Sequence, residues 1–308
     1  MINFRYHIVS LMAVFIALSV GIAVGVSLGP SVDQGLLRQA EQDRKQVAEL
    51  RAELNRRNAL DEYRQAYEQQ AGEPVISGAL DGVRIAVVAM PDAPGQVVTD
   101  ITAAVATAGG SVVREIVVRP DAFDPAKADE VTEALASLAT HVPLNDGMTQ
   151  AQKIGAALAR SIASPQVEDR DQLALAVGNA LSGAGFVALN GGSAAQAQLV
   201  IVVSAEASDP PLTSEVLAGH VEFDLALKAR AGVVVAGPNS AQIEGTDVLA
   251  ARSNPEGNNL LSTVDVADLT SGVITTVLAG QEQLLGREGQ HYGALARADA
   301  PLPTLPIR

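Results

Sequence analysis

The chain has 308 residues, no Cys, no Trp and a formal net charge of −14. The lack of Cys excludes disulfides, thiolate metal sites, iron–sulfur clusters and Cys nucleophiles. The charge is unevenly spread: Arg5 and Asp33 cancel in the first 35 residues, and seven basic and seven acidic side chains cancel between Leu36 and Gln70. The whole excess of negative charge therefore lies beyond Gln70, which argues against nucleic acid or anionic lipid as a partner of that part.

The first element is the run from Ile8 to Leu28, IVSLMAVFIALSVGIAVGVSL, with no charged residue. At about 1.5 Å per residue it is long enough to cross a ~30 Å hydrocarbon core. A cleaved signal peptide is the alternative, but its apolar region would be ~7–15 residues long. Arg5 and the amino terminus precede the run, and the next basic residue is Arg38. The positive-inside rule thus predicts a single-pass cell-membrane protein with a cytoplasmic N-terminus and an extracytoplasmic remainder. Gly21, Gly25 and Gly29 fall on one helix face, the small-xxx-small spacing that lets two membrane helices approach closely.

Gly29-Pro30 is expected to break that helix. From Leu36 to Gln70 the composition turns to Gln, Glu, Arg, Ala and Leu, with no Gly or Pro. Leu36, Ala40, Val47, Leu50 and Leu54 fall on alternating steps of three and four, the seam of a coiled coil. Asp43 and Arg57 interrupt the seam, and Leu60, Tyr63 and Tyr67 restart it in a shifted frame. Together with the glycine face, the seam predicts a parallel homodimer with Gly21, Gly25, Gly29, Leu36, Ala40, Val47, Leu50 and Leu54 at its interface. A single solvated spacer helix is the alternative.

Gly72-Glu73-Pro74 is expected to end the helix. Short apolar runs then alternate with helical stretches. Strands are predicted at Val83–Met90, Ser111–Val118, Phe186–Asn190, Gln198–Ser204, Gly232–Pro238 and, as a short one, Leu260–Val266. Helices are predicted at Gln96–Ala108, Asp124 to about Ala139, Thr149–Ala163, Asp169–Leu181, Ser214–Arg230 and Leu269–Leu285. This alternation predicts an α/β domain with a mostly parallel sheet flanked by helices. The organisation reads as an N-terminus and transmembrane helix (1–29), a coiled-coil stalk (30–72), an extracytoplasmic α/β domain (73–300) and a Pro-rich surface tail (301–308).

The chemistry-bearing motifs are sparse. The turn after the first strand, Pro91-Asp92-Ala93-Pro94-Gly95, lacks G-x-G-x-x-G, and no P-loop occurs. Gly191-Gly192-Ser193 has half of a nucleophile elbow and reads as a loop. His220 and Asp224 share a helix face while Glu222 points away, and a solvated face is expected there. His291 is expected to cap the last helix. Four Met and four His are scattered, and the one conceivable soft metal site is the loop holding His141, Asp146 and Met148. The residues therefore predict a non-enzymatic protein with no catalytic, cofactor or metal constellation.

The opening NFRYHIVSLMAVFIALSVGIAVG and the stretch STVDVADLTSGVITTVLAGQEQLLGREGQHYG before the Pro-rich end resemble the MctB family of actinobacteria. The coil and α/β middle fit between these two ends, so the resemblance covers nearly the whole chain. It implies an envelope protein named for copper resistance and export, sometimes described as an outer-membrane channel. It also implies a role of the corynebacterial SteB type: cell separation with a SteA-like membrane protein, through a coiled coil that activates a peptidoglycan hydrolase. No metal or catalytic residue carries over, so copper enters by resemblance alone. One spanning helix cannot enclose a pore by itself.

Overall fold

The protein is described by a computed structural model covering residues 4–136, 142, 144–145, 147–238, 245–294 and 297–304, with side chains described except at 4–5, 28–38 and 41. The chain divides into two units, Met1–Arg64 and Gln65–Arg308.

The first unit belongs to helix α1 (Phe4–Ile76), which runs on for 73 residues into the second. Within it, Tyr6–Ser27 is long and apolar enough to cross a membrane. The helix does not stop at Gly29-Pro30. A proline removes one backbone hydrogen bond, and the cooperative ladder on either side carries the helix through it. Nor does it stop at Gly72. A Cβ on Gly72 would stand 2.2 Å from Ile274 Cδ1, so this glycine permits close approach to the last long helix and is not a terminator. The helix ends instead at Ile76, which is buried, and Gly78 follows at φ 75°.

The second unit carries β1 (Arg84–Ala89), α2 (Gly95–Thr107), β2 (Ser111–Val118), α3 (Ala128–Leu135), α4 (Gln150–Ile162), α5 (Gln172–Gly183), β3 (Val187–Asn190) and β4 (Leu199–Val203). It continues with α6 (Ser214–Lys228), β5 (Gly232–Ala236), α7 (Asp247–Ser253), α8 (Pro255–Leu260), β6 (Ser262–Val264), α9 (Thr270–Leu284) and β7 (His291–Tyr292). The strand order is β3-β2-β1-β4-β5-β6-β7. Every pairing is parallel except β2 with β3, which is antiparallel at the edge.

Alternation along the central strands builds two cores. Ala86 and Val88 of β1, Val200 and Val202 of β4, and Val233 and Val235 of β5 face one layer, with α4, α5 and α6. Ile85, Val87, Ile201, Val203 and Val234 face the other, with α2 and α9. Strands buried on both faces must be apolar at every position, which is why they read as unbroken Val/Ile runs.

The helix starts follow local capping. Thr149 and Gln152 form a capping box on α4, and the hydroxyl or carboxylate oxygens of Thr213, Thr246 and Asp171 accept from the first turns of α6, α7 and α5. The Asp171 cap moves the start of α5 past Asp169, which pairs with Arg84 instead. Asp124-Pro125 opens a 3-10 turn before α3, and the expected end near Ala139 lies outside the described residues. The tail is exposed at Pro301 and Leu302, buried at Pro303, and outside the described residues from Leu305.

Candidate functional site

The strand order places a reversal at β1. The chain leaves β1 for β2 on one side and returns to β4 on the other. In open α/β sheets a crevice forms outside the carboxyl ends of the strands at such a point. Here the two ends are tied together, because Met90 N donates to Val203 O at 2.9 Å. A cleft of about 400 Å³ lies there, lined by Pro91 and Asp92 after β1, Glu206 after β4, Phe123 before α3, and Val216 and His220 on α6. A second lobe of about 450 Å³ adjoins it, sharing Phe123 and Val216 and adding Thr149, Glu215, Gly219 and Glu222.

Close packing of α4 on α6 sets the position of His220. A Cβ on Gly155 would stand 2.7 Å from Phe223 O, so only glycine allows that approach. His220 is 4 % exposed, and its Nδ1 lies 2.7 Å from Asp247 Oδ1 at the start of α7. A carboxylate only accepts, so Nδ1 carries the proton in this pair. The Phe123 ring packs on the imidazole at 4.2 Å between centroids. One turn along α6, Asp224 is buried, and its Oδ1 has no hydrogen-bond partner among the described residues. Burial, and next the charge of Asp247, push its carboxyl well above the usual carboxylate range.

This arrangement corrects the expectation of a solvated face. His220 and Asp224 do share a side of α6, but it is the buried side. Glu222 lies on the other side, where it accepts from Thr149 Oγ1 at 2.5 Å. Asp247 has no sequence signal, since a helix of seven residues is too short to show periodicity. The raised Asp224 has a measurable consequence. Its native pKa exceeds the unfolded value, so the native state holds the proton more tightly and stability falls as pH rises from the ordinary 3.8. Asp224→Asn is expected to raise the thermal midpoint at pH 7.5, with the gain shrinking toward pH 4. A gain independent of pH would assign it to something other than this proton.

The remaining candidates have structural roles. His291 does not cap α9. It sits in β7, with Nδ1 3.0 Å from Thr263 Oγ1 and Nε2 3.0 Å from Asn258 Oδ1, and burial and then Arg252 lower its pKa. Gly286, at φ 75°, closes α9 instead, with Arg287 N donating to Glu282 O at 2.9 Å. The Gly191-Gly192-Ser193 loop offers carbonyls to Arg114 and Arg170. His141 and Asp146 lie outside the described residues, and Met148 is half-buried. Among the described residues no group of three or more His, Asp and Glu is placed to hold a metal, and no hydroxyl hydrogen-bonds to His220.

Gly21 and Gly25 have open space where a Cβ would sit. Ala40, Val47, Leu50 and Leu54 are exposed on α1, and the side chains at Gly29 and Leu36 are outside the described set.

Fold and helix together define an α/β protein with a mostly parallel seven-stranded sheet and an N-terminal helix long and apolar enough to span a membrane. The profile of the family described as "Copper transport outer membrane protein, MctB" matches residues 1–303. The chain belongs to the MctB family, and both findings fit a membrane-associated envelope protein. Relatives called copper transporter MctB, from Mycobacterium bovis and Mycobacterium tuberculosis, are each 26% identical over 310 residues, covering 95% of this chain and 96% of theirs.

Proposed function

We propose that this protein is a single-pass, dimeric envelope scaffold that presents its α/β domain on the outer side of the cell membrane. One observation carries the reading. The same helix α1 holds a segment of membrane-spanning character, Tyr6–Ser27, and an uncovered apolar seam beyond it, with Val47 46%, Leu50 60% and Leu54 57% exposed. Apolar side chains left that open on a helix find cover in a second helix. Two anchors in one membrane raise the local concentration that a short, interrupted seam needs. In this reading the scaffold acts in cell separation with a SteA-like membrane partner and regulates a peptidoglycan hydrolase, and the protein itself performs no catalysis.

Replacing both Leu50 and Leu54 with Asp is expected to convert a dimer to a monomer in sedimentation of the full chain in neutral detergent. An unchanged sedimentation coefficient would sink the dimer.

The family description favours a second reading, a component of copper export that limits copper accumulation. Deletion of the gene separates the two. Chained, unseparated cells with unchanged copper sensitivity support the scaffold, and copper sensitivity with normal separation supports export.

A further inference from the structure

The two-lobed cleft around Phe123 has an uneven chemistry. Its floor is apolar, with Phe123 and Val216 common to both lobes and Leu212 in the first. Its rim carries Asp92, Asp124 and Glu206 in one lobe and Glu215 and Glu222 in the other, and among the described lining residues there is no Lys or Arg. Two of these carboxylates are engaged: Asp124 accepts from Ala126 N and Glu222 from Thr149 Oγ1. Asp92, Glu206 and Glu215 are exposed and, among the described residues, make no side-chain hydrogen bond or ion pair. The nearby cation Lys127 is taken by Glu130 at 2.6 Å.

We propose that this groove docks an extended basic segment of a protein partner. An aliphatic or aromatic side chain of the segment covers Phe123, and its Lys or Arg side chains meet Asp92, Glu206 and Glu215. Other ligands fit less well. A divalent cation lacks a clustered ligand set among the described residues. A small polyamine satisfies the carboxylates but leaves the apolar floor in water, and an anionic polymer is repelled by the rim. An extended peptide supplies alternating side chains for both lobes, the usual way a groove combines apolar pockets with charge. The negative charge of the chain beyond Gln70 steers such a segment toward the domain from a distance. The inference rests on the scaffold reading and names the surface through which the scaffold grips a partner.

The test uses the full chain in neutral detergent and a fluorescein-labelled peptide, Lys-Arg-Pro-Leu-Pro-Arg-Lys, read by anisotropy. The expected result is saturable binding that weakens with salt. Binding should fall about tenfold in the double variant Glu206→Lys, Glu215→Lys, and about tenfold when Ser replaces the peptide's Leu, the size of one or two desolvated contacts. Both substituted residues are exposed, and Asp92→Asn provides a milder variant that tolerates the φ of 61° at that position. The proposal is overturned by absence of binding to the parent chain, by variants that bind within twofold of it, or by a Ser peptide that binds as well as the Leu peptide. Sedimentation of the same samples separates the two ideas. A dimer without peptide binding defeats the groove alone, and peptide binding to a monomer defeats the dimeric scaffold alone.

Discussion

Replacing Arg252 with Met is expected to destabilise the α/β domain by about 3–5 kcal/mol, because it leaves a buried carboxylate without its counter-charge. Arg252 and Asp265 both have fully buried side chains, with Nη1 2.7 Å from Oδ2. The guanidinium also donates to Thr263 Oγ1 at 2.7 Å and to Tyr292 O at 2.8 Å, so one side chain joins α7 to β6 and β7. Asp265 in turn accepts from Ala294 N at 2.8 Å. The chain must come so close there that a Cβ on Gly293 would stand 2.0 Å from Asp265 Oδ1. Burial is the largest influence on Arg252, lowering its pKa, and the hydrogen bond to Asp265 opposes it. A loss of this size moves the thermal midpoint down by roughly 6–20 °C for a unit of this length. The double change Arg252→Met, Asp265→Leu removes the stranded charge and should recover part of the loss. A single variant within ~1 kcal/mol of the parent would show that the pair holds nothing together.

Gly272→Ala should have an effect of similar size through a different cause. Gly272 lies in the first turn of α9, and a Cβ there would stand 1.7 Å from Val266 O and 2.3 Å from its carbonyl carbon. Those are backbone atoms, so no rotamer change relieves the overlap. The turn between β6 and α9 or the helix itself has to move. Overpacking of a tight core usually costs about 1–3 kcal/mol, and a rigid neighbour places this case at or above the upper end. The same helix supports two central strands and receives the end of α1, where Ser271 N donates to Glu68 Oε2 at 3.1 Å. Thermal unfolding of Gly272→Ala beside Gly280→Ala makes the check, since the three atoms nearest a Cβ at Gly280 all belong to the flexible side chain of Leu199. Equal losses would show that the backbone contact is not the cause.

Most of the fold was legible in the chain itself. The Ile8–Leu28 run, the Gly- and Pro-free helical composition from Leu36 to Gln70 and the Val/Ile runs of β1, β4 and β5 are local patterns, and local patterns set element type. The alternation of strands and helices was enough for the layers and the parallel sheet. Punctuation was harder to read. Gly29-Pro30 and Gly72-Glu73-Pro74 have the composition of helix ends, yet α1 continues through both. At Gly72 the reason is tertiary, since the missing side chain makes room for Ile274.

The candidate site depended almost wholly on tertiary structure. Sequence spacing put His220 and Asp224 on one face of a helix and could not say whether water or protein covered it. Asp247 answers that from a helix 27 positions away, and Phe123 comes from before α3. His291 follows the last helix in sequence, but the sheet claims it as an edge strand beside β6, where the Arg252–Asp265 network is built. Contacts across such separations follow from which layers the strand order brings together, and no periodicity encodes them. The sequence by itself determined a helix with a long apolar segment followed by an acidic α/β domain, because composition and repeat spacing are local properties. Only the tertiary structure decided where the sheet reverses, which carboxylates surround Phe123 and which histidines are buried, because those depend on contacts between segments far apart in the sequence.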